Sequence, residues 1–503
     1  MTWTLKSKIT ATALGLLFAS TSSAQEFFRV YPNDFDYDGK VTIPYAIEHF
    51  PYIDFSKTGR KVKLHRADED VDPTNYGTYL INSVDSITFP EEPEEYGKDK
   101  YKVFTLYVTT KDEAEIPYSE TNKKYVDCYI NIDGKGEYPN YSGPAQIRGR
   151  GNSTWRWYPK KPYRIKLDEG SKILGMGKDK DWVLLANYRD PIDVLNTYAF
   201  IVARKMGIPF TTPIRYVEVF LNKEYIGVYQ IAEQIEQGNN RVDIADDGGI
   251  LLTLDVDDGP YSPVPNVGDT CYFSSQIYGL PMAVKYPKDT NKAQREEIKA
   301  EFAILENALM GHDYDYVDSI MDIDSYIWMV MLNAFLDNDD FTAPRSTFVF
   351  KDVNGKWTWG PAWDFDAGYA FNWSPMMTSK TFFEGYTANG IVGNHPANHS
   401  AYYQAMFKSG RFTQRFIDKW NYIADSLLTS CWDETQLYID GLQTRNGKMS
   451  PQERDLKRWP LVDDSGTKNP QKEIEKLKDW LKKRIDFMTQ SFNALPILED
   501  KKR

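Results

Sequence analysis

Arg148-Gly149-Arg150-Gly151-Asn152-Ser153-Thr154-Trp155 is the strongest structural signal in this chain, because two arginines and two glycines share one short segment. Glycines let backbone amides approach an anion, and arginine or lysine adds positive charge. In the segment 163–167 that follows, apolar and basic residues alternate, with Lys166 on the side opposite the core. The pattern over 146–166 therefore predicts a strand, a basic loop and a second strand that carries the lysine. A solvated basic hairpin is the alternative.

Further strand patterns lie on both sides of this basic loop. The predicted elements are strands over 101–109 and 124–132, a helix over 191–206 and a hairpin over 215–231. The helix limits follow from Pro191, which suits a first turn, and Gly207, which suits a stop. Together these elements predict a β-rich small lobe over residues 100–236.

The second half of the chain is more helical. Apolar residues recur at helical spacing over 298–309, and a second apolar helix is predicted over 326–336. A final amphipathic helix is predicted over 474–488. These patterns predict a larger helical lobe over residues 237–490, and an α+β chain as a whole.

Acidic residues cluster at two points of this helical half. The helix over 326–336 runs directly into Asp337-Asn338-Asp339-Asp340, and unpaired buried carboxylates are costly, so solvent or a cation must compensate. Further on, Asp364 and Asp366 follow a predicted hairpin. If the backbone there is extended, these two carboxylates share a face and can hold magnesium. An acidic turn without a metal is the alternative.

A basic, glycine-containing loop early in the chain and a metal-suited carboxylate pair late in the chain are typical of phosphoryl-transfer enzymes. The formal net charge of -12 argues against nucleic acid as the main partner, since such binding draws on positive fields. Any anion site is therefore local. The three cysteines are widely spaced and allow at most one disulfide.

The N-terminal region predicts export. Lys6 and Lys8 precede an apolar run over 9–18, and small residues follow at Ser22-Ser23-Ala24, which is typical of a cleaved signal peptide over residues 1–24. The run is much shorter than the ~20 residues that span a bilayer, so no transmembrane segment is predicted. We expect a secreted, periplasmic or cell-surface protein.

Between the signal peptide and the small lobe, the pattern predicts a small β-containing module over 25–93 and a linker over 94–99, and the chain ends in a tail over 491–503. Within the module, the acidic segment 34–39 resembles the start of a calcium loop, but its twelfth position is Tyr45 and not glutamate. A plain acidic turn is the preferred interpretation there. A histidine pair at 395 and 399 is not interpreted as a zinc site because no third ligand is evident.

Five spaced motifs resemble the spore-coat CotH kinase family. They are the segments 147–155, 159–167, 184–190, 227–235 and 363–366. The resemblance covers residues 101–487 and implies an atypical protein-kinase-like fold with two lobes. It also implies transfer of the γ-phosphoryl group of ATP, with Mg²⁺ or Mn²⁺, to serine or threonine of a protein substrate.

The resemblance also assigns roles to residues of this chain. The nucleotide-binding set is Arg148, Arg150, Gly151, Asn152, Ser153 and Glu233, with Glu233 near a hinge. Lys161 or Lys166 would contact phosphates, and Asp340 would be the catalytic base. Asp364 would be the principal metal ligand and Asp366 a secondary one.

One departure from the kinase pattern affects the metal count. An asparagine often follows the catalytic aspartate by five or six residues, and here Arg345 and Ser346 occupy those positions. Two alternatives to the kinase interpretation stay open at this point. One is a noncatalytic surface protein that binds glycan or a partner, and the other is a nucleotidyl transferase with the same fold.

Overall fold

The computed structural model describes the chain from residue 96 onward with gaps, and only strand backbones before it. The described ranges are 96–117, 124–151, 153–256, 271–341, 344–370, 400–445, 447–460 and 469–500, with the backbone of 462–463 and 466–467. The chain divides into two compact units. The first unit comprises Met1–Tyr188, Ile214–Gln234 and Asp440–Pro460, and the second comprises Arg189–Pro213, Ile235–Ile439 and Leu461–Arg503.

Seven short strands precede residue 96. They are β1 Thr2–Thr4, β2 Phe27–Pro32, β3 Ile43–Ala46, β4 Tyr52–Phe55, β5 Lys61–His65, β6 Thr78–Leu80 and β7 Val84–Thr88. They form one sheet of order β1-β7-β2-β3 and another of order β4-β5-β6. Strand β5 lies within the segment 25–93, for which the sequence predicts β structure.

A closed seven-stranded barrel forms the centre of the first unit, in the order β10-β11-β12-β14-β13-β8-β9. Its strands are β8 Val103–Thr110, β9 Val126–Asp133, β10 Tyr141–Gly149, β11 Tyr163–Lys172, β12 Lys178–Leu185, β13 Ile214–Leu221 and β14 Glu224–Glu233. Alternate side chains point inward, so Ile147 and Ile165, which are cross-strand partners, are both about fully buried. The predicted strand-loop-strand over 146–166 is confirmed, with a short helix α1, Ser153–Trp157, inside the loop.

The hairpin β13–β14 also follows the sequence prediction. Its two-residue turn is Asn222-Lys223, and both residues have positive φ angles of 49° and 72°. Such angles match the twist of paired strands in tight hairpins, and asparagine tolerates them better than most residues. The Asn222 side chain accepts a hydrogen bond of 2.8 Å from the Thr110 amide, which joins this turn to the end of β8.

Helix α9, Pro451–Arg458, packs on the barrel through buried charges, all within the first unit. Arg454 donates two hydrogen bonds, of 2.7 and 2.6 Å, to the two carboxylate oxygens of Glu218, which is fully buried on β13. Asp455 accepts from the Lys160 ammonium at 2.8 Å and from the Val228 amide at 2.7 Å. Both ion pairs are desolvated, so each charge depends on its partner.

A glycine on β14 permits this close packing of α9. A Cβ atom at Gly227 would lie 2.4 Å from Asp455 Oδ1, and the backbone there has a φ of +114°. Only glycine adopts such a φ without strain and leaves room for the carboxylate.

The second unit contains a five-stranded sheet of order β16-β17-β15-β18-β19. Its strands are β15 Ile250–Leu254, β16 Tyr272–Ser274, β17 Pro281–Tyr286, β18 Thr347–Lys351 and β19 Thr358–Trp359. Neighbouring strands in this sheet are all antiparallel. The hairpin predicted before Asp364 and Asp366 is confirmed, and strands β18 and β19 form it.

Helices supply most of the remaining described structure outside the barrel and this sheet. They are α2 Leu195–Met206, α3 Lys292–Met310, α4 Tyr314–Ile320, α5 Ile323–Phe335, α6 Ser400–Gln404, α7 Gly410–Leu427, α8 Ser430–Gln443 and α10 Pro470–Asn493. Helix α5 is buried on all sides, as expected for a helix that is apolar all round. The mixed α+β class is therefore confirmed. Among the described helices, none has both the length and the apolarity needed to cross a membrane.

Helix α2 starts four residues later than the sequence pattern predicts. The Asp190 carboxylate accepts hydrogen bonds from the amides of Ile192 and Leu195, at 2.9 and 2.7 Å. Asp193 has a φ of 62°, which is incompatible with a right-handed helix. The segment before Leu195 is therefore a side-chain-capped turn. The predicted stop is confirmed, because Gly207 has the left-handed φ of 81° that ends the helix.

We predict that Glu218 and Arg454 depend on each other for the stability of the first unit. Arg454→Met leaves the Glu218 carboxylate buried without its cation, so the free energy of unfolding should fall by about 3–5 kcal/mol. Hydrogen exchange of the barrel amides measures this loss. The double variant Glu218→Leu/Arg454→Met should recover most of it, because both charges are gone. Asp479→Asn, in an exposed pair with Lys483, is the control. An equal loss in single and double variants would contradict the prediction.

Candidate active site

Three aspartates converge in the second unit. One carboxylate oxygen from each of Asp340, Asp364 and Asp366 lies within 4.8 Å of the other two, and all three residues are half-buried. We call these residues the acidic cluster. The members of the cluster come from two separate segments of the chain, 339–341 and 363–366. The spacing of the two acidic motifs in the sequence does not by itself predict that these segments meet.

Asp340 is positioned by the end of helix α5. After Leu336 the chain turns through Asp337, whose φ is 51°, and enters a single 3₁₀ turn over Asp339–Phe341. Asn338 fixes this turn in two ways. Its side-chain nitrogen Nδ2 donates to the Asn333 side chain at 2.9 Å, and its side-chain oxygen Oδ1 accepts from the Asp340 amide at 3.3 Å. The base predicted from the sequence is therefore on a turn tied to a buried helix.

Arg484 of helix α10 contacts the C-terminal end of helix α5. It is fully buried and donates to the main-chain carbonyls of Phe335 and Ala334, which are at the C-terminus of α5. Its guanidinium also lies 3.6 Å from the Asp337 carboxylate. A cation at a helix C-terminus satisfies orphan carbonyls and the helix dipole. Burial lowers the pKa of Arg484, and Asp337 acts in the opposite direction.

Asp364 lies in a strained backbone conformation. Its φ of 64° is in the left-handed region, so the extended backbone expected between Asp364 and Asp366 is wrong. A turn begins at Asp366, and carboxylate oxygens of Asp364 and Asp366 lie within 4.8 Å of each other. Asn196 of α2 accepts a hydrogen bond from the Phe365 amide at 2.8 Å, and the Phe200 ring stacks on Trp363 at 5.9 Å. These contacts with helix α2 hold the segment in place and maintain the strained conformation of Asp364.

Each carboxylate of the acidic cluster contacts a donor from the same unit. The Arg189 guanidinium, which is 4% exposed, lies 2.8 Å from Asp366 Oδ2 and also donates to the Asp366 carbonyl. The Ser346 hydroxyl donates to Asp364 Oδ2 at 3.1 Å. The Arg345 guanidinium lies 3.5 Å from Asp340 Oδ1. These contacts reduce the repulsion that three neighbouring carboxylates create.

The basic loop belongs to the first unit. Gly151 has a φ of +81°, and its position next to Pro162 leaves little space for a side chain. The Arg150 amide donates to the Pro162 carbonyl at 3.2 Å, which closes the loop at its base. Arg148 lies over the Tyr125 ring at 5.3 Å, and Ser153 is the first residue of α1. The predicted residue Asn152 lies outside the described residues.

The two lysines predicted to contact phosphate differ in their surroundings. Lys161 donates to the Trp155 carbonyl and lies over that indole ring, and burial lowers its pKa. Lys166 is exposed on the outer face of the barrel, and its cross-strand partner is Gln146 of β10. The predicted orientation of Lys166 away from the core is confirmed.

Lys160, which the sequence motif contains but to which no role was assigned, is the fully buried lysine of this segment. Its ammonium pairs with Asp455 and lies 5.2 Å from the centre of the Tyr229 ring. Nothing in the local pattern distinguishes Lys160 from Lys161, because its partner is 295 residues further along the chain. Its contacts show that it joins α9 to the barrel.

Glu233, expected near a hinge, is the last residue of β14 and is buried. Its carboxylate accepts a hydrogen bond of 3.1 Å from the Gly177 amide. Its role stays a prediction. Of the predicted signal peptide, the structure describes only the strand backbone of Thr2–Thr4. The acidic segment 34–39 and the histidines at 395 and 399 lie outside the described residues.

The donor set of the acidic cluster suits a hard divalent cation. Mg²⁺ and Mn²⁺ prefer carboxylate and water oxygens, and Mg²⁺ usually binds through one or two carboxylates with substrate phosphates completing its shell. Asp364 and Asp366 offer such oxygens within 4.8 Å of each other, beside a third at Asp340. The residues therefore fit a divalent metal whose remaining ligands would be phosphate and water oxygens.

The chain belongs to the CotH kinase family. The family model described as CotH kinase protein matches residues 147–488, which begins just before the basic loop and includes the whole acidic cluster. Membership confirms the resemblance noted from the motifs and indicates a kinase-like protein. A search among curated proteins gave no match.

We predict that Arg484 holds the turn that carries Asp340. Arg484→Met removes two carbonyl contacts and the ion pair with Asp337, so stability should fall by about 3 kcal/mol. Hydrogen exchange at residues 336–341 should accelerate more than exchange elsewhere in the second unit. Lys483→Met, at an exposed neighbouring position, is the matched control. Unchanged protection of this turn in Arg484→Met would show that the contact is dispensable.

Proposed function

We propose that this protein transfers the γ-phosphoryl group of ATP to a serine or threonine hydroxyl of a protein substrate. The observation that carries this proposal is the convergence of Asp340, Asp364 and Asp366 within 4.8 Å in a chain of the CotH kinase family. A kinase-like fold with a β-rich and a helical lobe is part of the same proposal. The barrel of the first unit and the helices of the second support it.

In the proposed mechanism, Asp340 accepts a hydrogen bond from the acceptor hydroxyl and takes its proton as the hydroxyl oxygen attacks phosphorus. Asp364 and Asp366 would hold a divalent cation, which supplies charge neutralisation on the phosphates when bound. Phosphoryl transfer needs little covalent chemistry from the protein, so the contribution of these residues is mainly positioning. The side chain of Asp340 is 13% exposed, which leaves it accessible to a hydroxyl while limiting its solvation.

Several contacts support a preorganised arrangement. Arg189 fixes Asp366 through both its side chain and its carbonyl, and Ser346 fixes Asp364. The Ser346 amide also donates to the Asp255 carboxylate at 3.3 Å, just after strand β15. Catalytic groups that are already oriented in the free protein need little reorganisation during the reaction. The acidic cluster therefore has the rigid support that this mechanism requires.

We further propose that the basic loop and its lysines bind phosphate groups of ATP. Gly151 gives the loop a conformation that other residues adopt only with strain, and Arg148, Arg150, Lys161 and Lys166 supply charge. Export of the protein is also proposed, on the N-terminal sequence alone.

We predict that γ-phosphoryl transfer depends on two of the clustered aspartates. Asp340→Asn removes the base and should reduce the rate by about 10²–10⁴-fold, while metal binding persists. Asp364→Ala should abolish both Mn²⁺ binding and transfer. ATP labelled separately at the α- and γ-phosphates, with casein-like and self substrates, measures the reaction. Asp318→Asn, at an exposed position on α4, is the control and should behave as wild type.

The labels also separate the competing functions. Transfer of the α-label would show nucleotidyl transfer and overturn the kinase proposal. No transfer of either label, together with no thermal shift by ATP and Mn²⁺, would favour a noncatalytic binding protein. Transfer that persists in Asp364→Ala would overturn the assigned metal site.

We predict that Lys166 contributes to ATP affinity and that a lysine at the other end of the same strand does not. Lys166 and Lys172 are both exposed on β11, so neither substitution should disturb folding. Lys166→Met should weaken ATP binding about tenfold, through loss of one charged contact. Lys172→Met is the matched control. Titration calorimetry with ATP measures both, and equal affinities would remove Lys166 from the phosphate site.

A further inference from the structure

Arg345 lies beside the acidic cluster on the segment that joins two of its members. Its amide donates a hydrogen bond of 2.8 Å to the Asp340 carbonyl, and its guanidinium lies 3.5 Å from Asp340 Oδ1. The next residue, Ser346, donates to Asp364. The segment is therefore anchored to the cluster at both Asp340 and Ser346, which keeps the Arg345 side chain at its edge.

The two arginines that contact the acidic cluster differ in exposure and in contact geometry. Arg189 is 4% exposed and meets Asp366 at 2.8 Å, as a buried structural partner does. The Arg345 side chain is 31% exposed, and its 3.5 Å contact is an ion pair longer than a good hydrogen bond. A guanidinium presents its N–H donors in a planar fork that matches the geometry of phosphate oxygens. Arg345 is thus accessible to a second anionic ligand.

We propose that Arg345 is a catalytic residue that donates hydrogen bonds to the transferred phosphoryl group. This inference rests on the proposed phosphoryl transfer and extends it. The arginine occupies one of the two positions at which the kinase pattern often has an asparagine for a second metal. A fixed positive charge at that position neutralises the negative charge that develops on the phosphoryl group, as a second metal ion would. The site then operates with one divalent cation.

The step balances without any additional reactant. The acceptor oxygen forms a bond to the γ-phosphorus, the bond from that phosphorus to the β,γ-bridging oxygen breaks, and ADP leaves with the electron pair. Asp340 receives the hydroxyl proton. Arg345 remains protonated throughout, because a guanidinium does not titrate in this range, and contacts the equatorial oxygens only.

This role predicts that loss of Arg345 changes metal affinity and phosphoryl transfer in opposite directions. A merely structural role does not predict this. Arg345→Gln removes a cation close to the metal-binding carboxylates, so Mn²⁺ affinity in the absence of nucleotide should rise. The same change removes a γ-phosphoryl contact, so phosphoryl transfer should fall by about 10²–10³-fold. The preference for ATP over ADP in binding should also fall about tenfold. Arg345→Lys, which keeps the charge but not the fork, should keep the wild-type Mn²⁺ affinity and lose part of the rate.

The experiment uses the full-length protein, with Mn²⁺ binding followed by electron paramagnetic resonance and nucleotide binding by calorimetry. Arg415→Gln is the matched control, because Arg415 is an exposed arginine that pairs with Asp324 on the surface of the second unit. Tighter Mn²⁺ binding with a reduced ATP-to-ADP affinity ratio in Arg345→Gln supports the inference. Weaker Mn²⁺ binding, or an unchanged ratio, overturns it.

The two proposals fail in different ways. If the wild-type protein binds ATP but transfers no γ-phosphoryl group, the proposed function falls, and Arg345 as a catalytic residue falls with it. If the wild type transfers the group and Arg345→Gln transfers it equally well, only the Arg345 inference is overturned. A wild type that binds neither Mn²⁺ nor ATP overturns both.

Discussion

Like-charge repulsion among Asp340, Asp364 and Asp366 is the constraint around which the second unit is organised. Carboxylates that approach within 4.8 Å disfavour one another's ionised forms unless cations or donors compensate. Arg189, Arg345 and Ser346 supply such compensation. The positive φ angles of Asp337 and Asp364 accompany the same convergence. A regular helix or strand would not bring both segments to one point. Strain at these two residues therefore accompanies the convergence of the three carboxylates.

In the first unit, the main constraint is the attachment of helix α9 to the outside of a closed barrel. An apolar seam is the usual solution, but here α9 uses two desolvated ion pairs, Glu218–Arg454 and Lys160–Asp455. Buried pairs add little net stability compared with apolar packing, yet they tolerate few alternative registers. Together with Gly227, which leaves space for Asp455, they define a single position for the helix.

Periodic patterns and turn residues allowed most elements to be predicted from the sequence. The alternation over 163–167, the stop at Gly207 and the turn at Asn222-Lys223 are local signals, and each is confirmed. Long-range contacts were not predictable in this way. The extended backbone expected at Asp364 is wrong because Asn196, far away in sequence, holds the next residue. Lys160 was not distinguished from Lys161 for the same reason. The motifs identified candidate site residues, but not the side chains that support them.

The late position of α9 in the sequence affects biosynthesis. The first unit is completed by residues 440–460, although its barrel ends at Glu233. During synthesis, Lys160 and Glu218 therefore exist without Asp455 and Arg454 until more than two hundred further residues have been made. Domains usually fold as units while the chain emerges, but the contacts of this barrel with α9 can form only after residues 454 and 455 have been made.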